Sequence, residues 1–150
     1  MNLQLVTFRL EKEEFGIDIQ KVQEINRMIE ITKIPNAPEY VEGVVNLRGK
    51  VIPIVSLRAR LGFGQVERDN STRIMIAEVE GKTLGFIVDS VSEVLRIDDS
   101  TNTRIEPAPS IAGGNESAYI EGIINLTDRI LILLDLKALL GDVAIDRLAA

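Results

Sequence analysis

The side chains available for chemistry in this sequence are carboxylates and guanidinium groups. Cysteine and histidine are both absent from the 150 residues. That removes thiol nucleophiles, disulfides and thiolate metal sites, together with Ser–His and Cys–His dyads and imidazole ligands. An all-carboxylate acid/base or metal site remains, and Asp18, Asp89 and the pair Asp98-Asp99 are its candidates. They lack motif spacing: there is no D-x-D-x-D-G loop, and Gly62-Phe63-Gly64 is too short to cradle a phosphate. The run Glu11 to Glu14 reads as a solvated turn. The residues point away from catalysis, metals and cofactors.

Arg48 offers a different chemistry, recognition. It sits in Arg48-Gly49, between two apolar runs. It reads either as a solvated turn residue or as one half of a guanidinium–carboxylate contact with Glu24. Exposed ion pairs contribute little to stability, so such a contact is better explained by the orientation of a binding surface.

An internal repeat supplies the elements that position these residues. Residues 40–62, YVEGVVNLRGKVIPIVSLRARLG, match residues 119–141, YIEGIINLTDRILILLDLKALLG, at an offset of 79. Phe15 to Arg27 matches Leu84 to Arg96 at an offset of 69. The difference places an insertion between Arg96 and Tyr119, with the Pro and Gly content of a loop (Pro107, Pro109, Gly113-Gly114). The halves are 1–62 and 73–141 of a single domain, 1–150, and the stretch from Gly62 to Ser71 reads as a linker. Where the halves agree, as at Gly43/Gly122, Gly16/Gly85 and Asn46/Asn125, the fold is reason enough. Where they differ, function is the better reading: Arg48 faces Thr127, Gly49 faces Asp128 and Pro53 faces Ile132.

Alternation and turn residues predict strands. Leu3 to Leu10 is apolar on both faces; Arg73 to Val79 and Lys82 to Val88 form a hairpin around Glu80-Gly81. Val44 to Leu47 pairs with Val51 to Val55 around Arg48-Gly49, and Ile123 to Leu126 with Ile130 to Leu134 around Thr127-Asp128. A short helix follows in each half, capped by Ser56 and Gly62 or by Asp135 and Gly141. The tail, 142–150, reads as a final helix from Val143 with Asp142 as its cap. Sheets this short close to hide their edges. The expected fold is all-β: two small five-stranded barrels with short helices, related by a pseudo-two-fold axis, with strand exchange between them an open alternative.

Composition excludes other classes. A net charge of −6 and six aromatic residues, none of them Trp, oppose a nucleic-acid binder. No apolar run exceeds five residues, Ile130 to Leu134, so no segment spans a bilayer. Met1 to Leu10 lacks the pattern of a secretory signal.

The run NLRG-x-x-x-P from Asn46 to Pro53, with VQEI from Val22 to Ile25, resembles the CheW-type chemotaxis coupling proteins. FRLEKEEFGIDI (Phe8 to Ile19), GFIVDSVSEVL (Gly85 to Leu95) and YIEGIINLTDRILILLDL (Tyr119 to Leu136) extend the resemblance over essentially the whole chain. It implies two SH3-like barrels, no enzymatic activity and no cofactor. It implies a cytoplasmic adaptor, recruited to membrane receptor arrays, that couples the tips of chemoreceptors to the regulatory domain of the histidine kinase CheA. Carried over residue by residue, it marks Glu24 and Arg48 as a coupling ion pair and Val22 and Gly43 as sensitive positions near it. Gly49, Lys50 and Ile52 fall on a kinase-facing hairpin, and Val88, Val91 and Val94 in a receptor groove, although core packing is the simpler reading of any one of these valines. The length argues against a fused receiver domain. A CheW-like coupler of another output, such as pilus motility, fits the same residues.

Overall fold

The computed structural model describes residues 2–98, 103–107 and 119–140. Among the described residues, eleven strands and two short α-helices run in the order β1 (Asn2–Leu10), β2 (Glu13–Asp18), β3 (Val22–Arg27), β4 (Val41–Leu47), β5 (Lys50–Ser56), α1 (Leu57–Arg60), β6 (Arg73–Val79), β7 (Lys82–Val88), β8 (Ser90–Asp98), β9 (Ile105–Glu106), β10 (Ile120–Asn125), β11 (Ile130–Leu134) and α2 (Leu136–Leu140). One turn of 3-10 helix, Ile19–Lys21, links β2 to β3, and the Asp18 carboxylate accepts from the Gln20 amide at 2.9 Å. The class is all-β with two SH3-like subdomains.

The sequence halves do not map one to each sheet. One sheet has the order β8-β1-β2-β11-β10-β9 and the other β3-β6-β7-β5-β4. The β1–β2 hairpin of the first half therefore lies among second-half strands, and the β6–β7 hairpin of the second half lies among first-half strands. The exchange is reciprocal. Even the parallel contacts match: β2 pairs with β11, and β7 with β5.

Exchange explains why these strands are apolar on both faces. In β1, Val6, Phe8 and Leu10 enter a core shared by the subdomains, whereas Leu5 enters the core of its own. In β6, Met75, Ala77 and Val79 enter the shared core and Ile74 and Ile76 the other subdomain's core. Alternate side chains of a strand point to opposite faces, so each exchanged hairpin serves two cores at once.

The turns and caps follow from the local sequence. β6 and β7 turn at Glu80-Gly81, and β4 and β5 at Arg48-Gly49; all four residues have positive φ, as a two-residue type I′ turn requires. The Ser56 hydroxyl accepts from the Ala59 amide at 3.2 Å, and the Asp135 carboxylate from the Ala138 amide at 3.2 Å. Gly62 ends α1 at φ +81°. Gly85 is required by proximity: a Cβ there would lie 2.4 Å from Ile54 Cδ1. Within the stretch expected to be loop, Ile105–Glu106 pairs with the edge of β10. The predicted Gly141 cap, the helix from Val143, and Asp99, Pro109 and Gly113-Gly114 lie outside the described residues.

Candidate protein interface

The loop chemistry at Arg48 begins with Asn46, whose side-chain oxygen accepts from the Gly49 amide at 2.9 Å. The turn holds Arg48 at φ +52°, where a side chain is disfavoured by roughly 1–2 kcal/mol. Opposite it, β3 carries a bulge between Val22 and Glu24 where it pairs with β6. Bulges redirect side chains. Arg48 Nη2 donates to Glu24 Oε2 at 2.7 Å, and Asn26 Nδ2 donates to Glu24 Oε1 at 2.8 Å. The hydrogen bond from Arg48, then that from Asn26, holds the Glu24 carboxyl below its ordinary pKa, and the same contact holds Arg48 above its own. The Arg48 side chain is 71% exposed, so the pair is a surface feature.

The structure sorts the remaining expected residues. Gly49 and Lys50 are exposed at the hairpin tip. Ile52, expected on the docking face, is buried in the subdomain core with Ile54 and Ile76, because β5 is covered on both faces from that residue onward. Val88, expected in a groove, is fully buried in the shared core and lines no surface. Val22 and Val91 occupy equivalent places, half-buried against the shared core. Val94 is exposed on β8. Gly43 has φ +145°, and a Cβ there would sit 2.1 Å from the Thr32 carbonyl oxygen. Its role is to let the Thr32–Val44 bridge (2.8 and 2.9 Å) close over β4.

Comparison of the halves reveals residues the sequence reading passed over. The large exposed hydrophobics include Ile25 and Val51 in the first half and Val94 and Ile130 in the second, and these are counterparts at the two repeat offsets. The ion pair has a counterpart as well. Arg129 Nη2 donates to Glu93 Oε1 at 2.8 Å, and Glu93 corresponds to Glu24. The arginine, however, occupies the place of Lys50, not of Arg48. Arg129 also reaches Glu14 at 2.7 Å, and this hydrogen bond is the largest cause of its raised pKa. Each half thus presents a Glu–Arg pair, with an exposed aliphatic residue following the glutamate (Ile25, Val94) and another on the hairpin that carries the arginine (Val51, Ile130).

A third cluster joins the subdomains. Arg58, only 6% exposed at its side chain, donates to the Gly64 carbonyl at 2.8 Å, to Asp89 at 2.6 Å and to Glu11. Burial alone would push its pKa down, but the hydrogen bonds and charges of Glu11 and Asp89 outweigh it and hold the guanidinium above its ordinary value. Among the described residues, no group of three or more carboxylates converges to hold a metal ion, and no helix is long and apolar enough to cross a membrane. The arrangement can do what exposed aliphatics and fixed charges do: dock another protein in a defined register.

Comparisons with known proteins agree in kind. Residues 4–144 match the family model of the CheW-like domain. The chain is 39% identical over 138 residues to the chemotaxis protein CheW of Klebsiella aerogenes, covering 92% of this chain and 81% of that protein. It is 36% identical over 139 residues to a probable chemotaxis protein CheW of Rhizobium etli, covering 93% and 88%. The crystal structure of the scaffolding protein TtCheW from Thermoanaerobacter tengcongensis superposes with a TM-score of 0.83 at 39% identity, covering 96% of this chain and 91% of that one.

Proposed function

The chain belongs to the CheW-like domain family and is a chemotaxis coupling protein; from that premise we propose that it works without enzymatic chemistry, as a cytoplasmic scaffold joining the tips of chemoreceptors to the regulatory domain of a CheA-type histidine kinase. The kinase-facing element is the β4–β5 hairpin with Glu24, Arg48, Gly49, Lys50 and the exposed Val51. The receptor-facing element is β8, with Val94 outward and Val91 behind it. Val22 and Gly43 act from beneath, by fixing β3 and β4.

The observation that carries this reading is the Glu24–Arg48 contact. The Arg48 side chain, 71% exposed at the hairpin tip, is fixed on one carboxylate at 2.7 Å. Exposed ion pairs add little to stability, so its use lies in presenting a fixed charge pattern to a partner. Recruitment of the chain to membrane arrays follows from binding receptors there.

Co-sedimentation with receptor fragment and kinase tests the proposal. The unaltered chain enters the ternary pellet and raises kinase activity. Arg48→Glu and Glu24→Lys stay folded and lose both. Normal kinase activation by either folded variant would overturn the assignment of this face.

A further inference from the structure

Among the described residues, the chain passes from one sheet to the other at two crossings. At the first, β2 leads to β3 through the 3-10 turn Ile19–Lys21. At the second, β7 leads to β8 through Asp89 alone. A single residue supplies two soft dihedral angles. Beyond the pairing of β8 with β1, the angle between β7 and β8 is set by what holds Asp89.

Arg58 holds it. The buried guanidinium donates to Asp89 at 2.6 Å, to Glu11 in the β1–β2 turn, and to the Gly64 carbonyl just after α1 at 2.8 Å. The Asp89 carboxylate also accepts from the Glu11 amide at 2.8 Å, and the Asp89 amide donates to the Arg9 carbonyl at 3.0 Å. Arg58 stands two residues after β5, whose Val55 and Ser56 run beside Phe86 and Ile87 of β7. One fork therefore ties the end of β5 to the start of β8.

The other crossing shows that the fold does not require such a fork. There Lys137 stands for Arg58, Glu80 for Glu11, and the uncharged Gln20 for Asp89. Lys137 reaches Glu80 at 3.5 Å with both side chains about half exposed. Gln20 is exposed, and its amide donates to Asp18 at 2.9 Å. The chain changes sheets there with no buried cation. A buried ion pair gains little over apolar packing of similar size, although breaking it is costly. What it adds is direction, because the guanidinium fork is planar and rigid.

We propose that Arg58 is a positioning residue: through Asp89 it fixes the angle at which β8 leaves β7, and so holds the receptor-facing strand and the kinase-facing hairpin in one rigid frame. This rests on the assignment of those two faces and adds the joint between them. No partner touches Arg58, whose side chain is 6% exposed. A receptor seated on β8 acts on the start of that strand, and the fork carries the displacement to α1 and β5. Without the fork each partner binds its own face and neither constrains the other.

The test uses the full chain, a receptor fragment and a CheA-type kinase. Arg58→Lys keeps the charge and loses the fork. Its affinity for each partner alone stays within about two-fold of the unaltered chain's, while kinase activation in the ternary mixture falls about five-fold or more. Asp89→Asn shows the same split, and Lys137→Ala, at the other crossing, changes none of the three quantities. Binary affinity lost in step with activation, or normal activation by folded Arg58→Lys and Asp89→Asn, overturns the positioning role. A further measurement needs no variant to fold. In the unaltered chain the Ser90 and Val91 amide resonances shift when the kinase's regulatory domain binds, although β8 lies in the other sheet from the hairpin. Amides that stay still on binding, or that shift equally in Arg58→Lys, overturn the joint and leave the docking faces standing. An unaltered chain that binds neither partner overturns the faces and the joint together.

Discussion

Arg60 Nε donates to the carbonyl of Leu139 at 2.6 Å, and Leu139 is the residue that occupies Arg60's own place in the other half. A position that touches its counterpart lies at the pseudo-two-fold axis. Tyr40 and Tyr119, also counterparts, both take the same guanidinium against their rings, at 5.5 and 4.6 Å from their centroids. The Tyr119 hydroxyl accepts a further hydrogen bond at 2.8 Å. One cation satisfies both rings, so the second copy of the position is free to be apolar, and Leu139 is fully buried.

Arg60→Ala therefore loosens the junction between subdomains. The expected loss is about 1–3 kcal/mol, from the ring contacts and two hydrogen bonds. Arg60→Lys retains charge but not the fork that reaches carbonyl and hydroxyl together, and recovers only part of it. Denaturant titration at fixed salt measures both. A change in Arg60→Ala no larger than a surface substitution would remove Arg60 from the junction.

Arg58 extends the same logic. Its counterpart is Lys137, and Glu11's counterpart is Glu80; Lys137 and Glu80 pair at 3.5 Å with both side chains about half exposed. The buried version carries stability and the exposed one does not. Arg58→Ala leaves Asp89 and Glu11 without their cation and costs about 2–3 kcal/mol, reduced from the fully buried case because both carboxylates touch water. Lys137→Ala stays within about 0.5 kcal/mol. Equal losses in the two variants, by thermal or denaturant unfolding, would contradict the assignment.

Gly43 and Gly49 separate steric need from conformational need. Gly43→Ala places a Cβ against the Thr32 carbonyl and cannot keep the bridge to Val44; the expected cost exceeds about 2 kcal/mol. Gly49→Ala meets nothing within 4 Å and is strained only by φ +86°, at about 1–2 kcal/mol. Hydrogen exchange reads the difference directly. The Thr32 and Val44 amides lose protection in Gly43→Ala and keep it in Gly49→Ala.

Much of this was legible from residue types. Glu80-Gly81 and Arg48-Gly49 mark their turns, Ser56 and Asp135 mark their helices, and the repeat announces two subdomains. Sheet membership was not legible. A strand such as β1, apolar on both faces, declares two cores but not which strands lie beside it, so the reciprocal hairpin exchange had to come from coordinates. Ile52 and Val88 misled for a related reason: β5 and β7 are buried on both faces along most of their length, and period two then no longer separates inside from outside. Val51 escaped notice because only the first two residues of β5 reach water. The Glu93–Arg129 pair was missed because position-by-position comparison sets Arg48 against Thr127, whereas the arginine had moved to the far side of the turn.

The pH response of the proposed docking face follows from Glu24. Its pKa is depressed in the folded chain, chiefly by the Arg48 hydrogen bond. The sign is that of a carboxylate with a lowered folded value: the contact is fully present above the ordinary carboxylate range and is lost as pH falls through the folded pKa. Carbon-13 titration of the Glu24 carboxyl places its midpoint below the ordinary value in the unaltered chain, and Arg48→Ala moves it upward. An unmoved midpoint in that variant would mean that the pair does not persist in solution.

Arg48 and Arg129 make opposite predictions although each faces a counterpart glutamate. Arg129 is only 34% exposed and holds Glu14, whose side chain is 8% exposed. Removing it leaves that carboxylate buried without its cation, so Arg129→Ala destabilises the fold by about 1–2 kcal/mol, discounted for the part of Arg129 that stays in water. Arg48 holds only a surface carboxylate that Asn26 also serves. Arg48→Ala therefore leaves the melting temperature almost unchanged and, in the proposed role, lowers kinase recruitment instead. Measuring both quantities in both variants separates the two halves. If Arg48→Ala melts early and recruits normally, the first-half pair is a structural clamp like its counterpart, and the asymmetry between the halves lies elsewhere than in partner recognition.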